Sequence, residues 1–390
     1  MAGNHTTVRK EKRLYENVFT GKMGALYARL YDPETEDCTL ERIKFIPSIF
    51  IKCNENSPNK SPYFDIIDKQ PLQELKYKTM KEFRDAMKLY GSSNTQMFGN
   101  KTPEQGYTLE NWPNPTDCDH KFHTWFFDIE TLVDLPEECG LEKDVIKDDW
   151  KPHGHERAAM AQISLIQIYD TKDKQFYIFG LKKDWEEKDK FESEHGKINY
   201  FNMSSEENLL KAFIGLLDRK RPSVLSGWNS EGYDIPFITN RIIRVLDKRD
   251  DIYYFDKNKK EWRFNTDCLN GGYVQQLSQV GLIKHREQET NYGKQDEFTW
   301  VGYFLEDYLE LYRKYTYTNL TSYSLDNVAS HELGSNKVNH DEFADFGAFY
   351  RGDYIKYDYN EKKKDKSELD LLYIELLQID KELKKRGLNF

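Results

Sequence analysis

Cysteine is sparse in this chain: five in 390 residues, at Cys38, Cys53, Cys118, Cys139 and Cys268. No two stand at metal-finger spacing, and the odd count argues against a disulfide framework. A reducing cytoplasm fits this usage. No run approaches the ~18 apolar residues that a membrane helix needs. Met1 to Tyr15 is polar and charged, without the apolar stretch of a signal peptide. Positive charge is short as well: 57 Lys and Arg stand against 67 Asp and Glu, a net −10. An acidic chain is not a bulk electrostatic binder of nucleic acid. Any such contact must be local, in a groove or at a metal site where bound cations supply the missing charge. Internal repeats and low-complexity segments are also missing.

Aromatic residues, by contrast, are plentiful, with 26 Tyr and 23 Phe. Most of them pack strands, and some are available to stack on unpaired bases. The length suggests about two domains. The first ~110 residues read as mixed α and β, with strands over Ala25–Tyr31 and Lys44–Lys52 and a helix over Met80–Tyr90. Gly91 to Pro115 is rich in Gly, Pro, Asn and Ser and reads as loop and domain boundary. This divides the chain into 1–115 and 116–390. Strands are then expected at Thr124–Ile129, Ile163–Tyr169 and Gln175–Phe179, in meander order. A helix over Leu209–Leu217, a short strand over Ser223–Trp228 and a helix over Ile235–Leu246 follow. Asp247 to Gly272 has no clear reading. Lys284 to Thr299 reads as a solvent-exposed hairpin turning at Asn291-Tyr292-Gly293-Lys294, and Val301–Leu311 as a strand running into a helix. The whole is a sheet with helices packed against it.

Two groups of residues could carry chemistry. Asp128-Ile129-Glu130 closes a buried strand, and residues two apart on a strand face the same side. Two acids there are costly without a partner, and a divalent metal is the obvious one. Taken alone, Asp-x-Glu is common and a hydrated strand end explains it. The second group is Asn229-Ser230-Glu231-Gly232-Tyr233-Asp234, between a strand and an apolar helix. Asp234 alone reads equally well as a helix cap. Pro236 suits the first turn of that helix.

The set Asp-Ile-Glu, then Asn-x3-Tyr-Asp, then a late Tyr resembles the exonuclease motifs of family B DNA polymerases of the T-even phage type. Leu311–Tyr315 with Ser322–Asp326 looks like the segment between the second and third motifs, and Tyr27–Phe64 like the N-terminal domain. The resemblance implies a ribonuclease H-like α/β (α+β) exonuclease domain over 116–390, its mixed central sheet flanked by helices. A smaller mixed α/β polymerase-type domain over 1–115 precedes it. It implies 3′–5′ proofreading hydrolysis of terminal DNA phosphodiesters with two Mg²⁺ or Mn²⁺ ions, which all-oxygen ligands suit. The metal ligands it implies are Asp128, Glu130 and Asp234, with Asn229, Tyr233 and Thr131 on the substrate. It also implies a hairpin near residue 291 that helps part primer from template. The late pair matches Tyr359-Asn360, but Lys363 stands where the family has its last Asp. Asp370, followed by the apolar Leu371, Ile374 and Leu377, is the preferred substitute over Asp358, Glu361 and Asp365. The polymerase motifs do not follow, so the expected partners are a 3′ single strand, a primer–template, a separate polymerase polypeptide and other replisome proteins. No polymerase activity is expected of the chain alone. A catalytically dead scaffold and a free-standing exonuclease for DNA or RNA are the alternatives.

Overall fold

In the computed structural model the described residues are 11–90, 97–99, 102–114, 120–132, 159–181, 191–193, 196–290, 293–317 and 319–334. All belong to one compact unit, Met1–Asn336. The N-terminal part holds two antiparallel sheets. Strands β1 (Leu14–Thr20), β2 (Leu26–Asp32) and β3 (Asp37–Ile43) form one. Strands β4 (Ile49–Lys52), β5 (Lys60–Phe64), β6 (Pro71–Leu75) and β7 (Met97–Phe98) form the other. Helix α1 covers Met80–Tyr90, as its apolar spacing predicts, and buries Phe83 against Ile49 and Met97.

The stretch read as loop between 91 and 115 contains a helix, α2 (Pro103–Asn111). Thr102 caps it by accepting the Gln105 N–H, and Pro103 occupies the first turn, where its missing N–H costs nothing. Gly106 serves packing here, since a Cβ would sit 3.0 Å from the Phe45 ring. The glycine and proline that suggested a loop are the cap and the contact surface of a helix.

The central sheet has seven strands. They are β8 (Thr124–Thr131), β9 (Ile163–Asp170), β10 (Gln175–Gly180), β11 (Phe191–Ser193), β12 (Gly196–Asn202), β13 (Val224–Gly227) and β18 (Phe304–Asp307). Their order is β11-β12-β10-β9-β8-β13-β18. The meander β8–β9–β10 is antiparallel, while β13 runs parallel to both β8 and β18. Alternation along β8 sends Trp125, Phe127 and Ile129 into the core and leaves Phe126, Asp128 and Glu130 on the other face. Helix α3 (Glu206–Lys220) covers the core with Leu209, Leu210, Phe213 and Leu217. Helix α4 (Asp234–Val245) adds Ile235, Phe237, Ile238 and Ile242. Burying each of these side chains contributes roughly 1.5–3 kcal/mol, which is what fixes α4 on the sheet.

Three further pieces lock onto this core. The unread stretch after 246 contains the ribbon β14 (Tyr253–Asp256) and β15 (Glu261–Phe264). The expected hairpin forms as β16 (Ile283–Thr290) and β17 (Gly293–Trp300), in register from Ile283↔Trp300 to Thr290↔Gly293. Its base is not solvent-exposed: Ile283, Phe298 and Trp300 are buried, and the Trp300 indole donates to Thr239 of α4 at 3.0 Å. A buried polar chain runs alongside, from His285 Nε2 to Asp296 (2.6 Å), from Tyr253 OH to Asp296 (2.6 Å) and from Asn240 Nδ2 to Tyr253 OH (3.3 Å). Helix α5 (Tyr308–Tyr315) follows β18, and α6 (Leu325–Leu333) ends at Gly334 in the left-handed conformation. The N-terminal sheet is tied in by Arg29, which pairs with buried Glu16 and donates to the carbonyls of Arg221 and Pro222.

Candidate active site

Strand β13 pairs with β8 only as far as Ser226↔Phe126. Beyond that point β8 loses its neighbour, and a side chain takes up one of its backbone groups. The Ile129 N–H donates to Asp234 Oδ1 at 3.1 Å. Asp234 is the first residue of α4, 2% exposed, and the cap position itself belongs to Tyr233, which makes no side-chain cap. The Asp234 carboxylate therefore reaches across to β8, between Asp128 and Glu130. Asp128 stands opposite Gln167 of β9, whose Nε2 donates to Asp128 Oδ2 at 2.8 Å. A bulge follows directly after Glu130, a device that re-aims side chains beside active sites.

Thr131 and Tyr233 close the group, their hydroxyls 3.2 Å apart. Tyr233 leans on Phe237, with ring centroids 5.4 Å apart. Burial raises its phenol above the usual range, and the charges of Asp234, Glu130 and Asp128 add to that, although the Thr131 hydrogen bond opposes it. One hydroxyl thus lies in the field of all three acids. The loop before it bends at Asn229, which has φ +61°. Gly232 leaves room for the Asn229 amide, whose oxygen would lie 2.7 Å from a Cβ there. Six residues singled out in the sequence, Asp128, Glu130, Thr131, Asn229, Tyr233 and Asp234, are accordingly gathered at one end of β8. Tyr359 and Asp370, with Asp358, Glu361 and Asp365, lie outside the described residues, as does the Asn291–Tyr292 hairpin tip.

Burial, and after it the negative charge of Asp128, push the Asp234 carboxyl well above the usual carboxylate range. Two carboxylates whose like charges repel one another in a buried site are a fitting seat for a hard divalent cation. Among the described residues no three His, Cys, Asp or Glu side chains form a group that could hold an ion by themselves. The Asp128–Asp234 pair still fits Mg²⁺, which is commonly bound by one or two carboxylates and completes its shell with water and substrate phosphate.

The strain has a measurable consequence. A carboxyl whose folded pKa is raised binds its proton more tightly folded than unfolded. Its contribution favours the fold at low pH and is lost as pH rises from the ordinary carboxylate range towards the raised value. Asp234→Asn keeps an oxygen for the Ile129 N–H and removes the charge. In EDTA at neutral pH this variant should melt above the wild type, and the gap should close towards pH 4. Thermal melts across that range check it; a variant that melts lower at neutral pH would show that Asp234 is not strained.

One residue that sequence reasoning passed over belongs here. Asp307, the last residue of β18, is 5% exposed and accepts from the N–H groups of Asn229 (2.9 Å), Glu231 (3.2 Å) and Leu309 (2.9 Å). Beside it, Glu231 is pushed up to about 7 by burial and then by Asp307, Glu297, Glu306 and Glu310. The only sequence signal was an acid at a strand end before a helix, which reads as a cap.

A mixed sheet with a central antiparallel meander, two acids on the first strand of that meander and a third acid opening the helix behind it defines the ribonuclease H-like class. The family model described as DNA polymerase family B, exonuclease domain, matches residues 107–328, more than half of the chain. The chain belongs to that family. It is similar to the DNA-directed DNA polymerase of Enterobacteria phage T4, at 27% identity over 333 residues, 80% of this chain and 32% of the relative. It is also similar to the DNA-directed DNA polymerase of Escherichia phage RB69, at 25% identity over 338 residues, 81% of this chain and 32% of the relative. The chain thus spans about a third of the length of these curated relatives. No described helix is long and apolar enough to cross a membrane.

Proposed function

We propose that the chain removes nucleotides from DNA 3′ ends, 3′ to 5′, by hydrolysis that depends on two Mg²⁺ or Mn²⁺ ions. The observation that carries this reading is the hydrogen bond from Ile129 N–H to Asp234, which sets a buried carboxylate against Asp128 at the open end of β8. Asp128 and Asp234, with Glu130 next along β8, are the residues that would hold the ions. When bound, the ions lower the pKa of the attacking water and neutralise charge on the phosphate. Gln167 orients Asp128, and Tyr233 and Asn229 shape the pocket for the terminal nucleotide. By the same family resemblance, Tyr359 is proposed to orient the attacking water and Asp370 to supply the last ligand. Segments 1–115 and 116–390 are the proposed polymerase-type N-terminal and exonuclease domains.

A circular and a linear single-stranded DNA of one sequence separate end-dependent from internal cleavage. The linear form should be consumed in Mg²⁺ and the circle left intact. Nicking of the circle at a comparable rate would make the protein an endonuclease and overturn the reading.

The relatives are DNA polymerases, and the partner we propose is a DNA-polymerising module working on the same primer–template. The β16–β17 hairpin is then the element that parts primer from template, held rigid by its buried base. Shortening its tip should leave single-strand digestion within about twofold and slow removal of a mismatched 3′ end from duplex about tenfold or more, in line with a lost positioning contact. Equal loss on both substrates would contradict that role.

A further inference from the structure

Strands β13 and β18 run parallel and end together, Gly227 beside Asp307. From Gly227 the chain turns sharply into the loop that delivers Asp234. The turn is tight: a Cβ on Gly227 would lie 2.7 Å from the Phe127 carbonyl and 2.8 Å from Ser230 Cβ. Asn229 sits in the left-handed region, which asparagine adopts more readily than most residues with a side chain. Its carbonyl accepts from the N–H groups of both Gly232 and Tyr233, at 3.1 and 3.0 Å, and so starts the turn into α4. Its own N–H, and that of Glu231, point the other way and end on the carboxylate of Asp307. Oδ1 serves Asn229 and Leu309 while Oδ2 serves Glu231, so both oxygens are engaged. A helix cap needs only one oxygen and one N–H, here that of Leu309; the two bonds to the loop are additional.

Resting on the exonuclease reading for its effect on rate, we propose that Asp307 is a positioning residue: its carboxylate holds the 228–233 loop in the shape that sets Asp234 beside Asp128. It touches neither the substrate nor the ions. Moving it frees the two amides that fix Asn229 and Glu231, and with them the start of α4. Serine is the discriminating substitution. It caps a helix well but is too short, with one oxygen, to span both loop amides. Asp307→Ala loses cap and bridge together.

The experiment compares wild type, Asp307→Ser and Asp307→Ala, assayed well below their melting temperatures. Three readouts are taken: melting temperature, steady-state kinetics on a single-stranded oligonucleotide in Mg²⁺, and hydrogen exchange of peptides covering 228–233. Asp307→Ser should melt closer to wild type than Asp307→Ala does. Its kcat should nevertheless fall on the order of a hundredfold, the scale of a small misplacement of reacting groups. KM should move much less, and the loop amides should exchange fast. A role confined to capping α5 predicts wild-type kcat and a protected loop in Asp307→Ser, and that result overturns the proposal. If the wild type digests no DNA, the exonuclease reading falls, and exchange alone decides: loop amides still protected in Asp307→Ser refute positioning, released amides sustain it.

Discussion

Asp128→Ala should lose several orders of magnitude in Mg²⁺-dependent digestion of single-stranded DNA while remaining folded. Asp128 lies on the half-exposed face of β8, and its side chain takes no part in the core of Trp125, Phe127 and Ile129. Truncation therefore leaves the sheet intact. It removes a carboxylate that would hold the ions, so both nucleophile activation and phosphate neutralisation should be lost. It also removes the charge that helps hold the Asp234 carboxyl high, so the variant should melt no lower than wild type in EDTA. The check is an initial-rate assay at saturating Mg²⁺ beside a thermal melt. Turnover like that of the wild type would sink the assignment of Asp128. A folded protein, inactive in wild-type and variant form alike, would favour a scaffold.

The largest effect on stability should come from a different residue of the same helix. Arg241 lies two turns after Asp234 and is 9% exposed. Its Nε and Nη2 each donate to Glu206 at 2.6 Å, a bidentate pair. Its Nη1 donates to the carbonyls of Ala159 (3.1 Å) and Met160 (2.9 Å), and Glu206 also accepts from the Ile163 N–H at 2.8 Å. One ion pair thus ties α4, the start of α3 and the entry to β9 together. Arg241→Met leaves Glu206 charged and buried without its partner, which costs about 3–5 kcal/mol. For a unit of this size that is a fall in melting temperature on the order of 10 °C. Removing both charges, Arg241→Met with Glu206→Gln, should recover part of the loss, because the orphaned charge causes most of it. Denaturant titration of the three proteins measures this. A single variant within ~0.5 kcal/mol of wild type, the range of an inert surface change, would show that the pair holds nothing.

Much of the site was legible because its residues are local in sequence. Asp128 and Glu130 announce their shared face by alternation within one strand, and Asp234 announces itself by preceding an apolar helix. The long-range half was hidden. Nothing near residue 307 says that β18 lies beside β13, so Asp307 reads as a cap for the helix after it. The link from Asp234 to the Ile129 N–H likewise depends on β13 parting from β8 after Phe126, a consequence of sheet order. The helix over Pro103–Asn111 was missed because its glycine and proline carry loop statistics, although both have helical roles there. The buried base of the hairpin was missed because its charged residues dominate the pattern. His285 and Asp296 satisfy one another inside the core, where the sequence shows only two more polar residues on an exposed-looking strand.

A 5′-labelled single-stranded oligonucleotide, incubated with EDTA-treated protein before and after Mg²⁺ is restored, tests the central claim most directly. The account predicts no digestion without the ion and, with it, a ladder of labelled products shortening one nucleotide at a time from the 3′ end. Immediate release of labelled mononucleotide, which means attack from the 5′ end, or digestion that proceeds unchanged in EDTA, would contradict it.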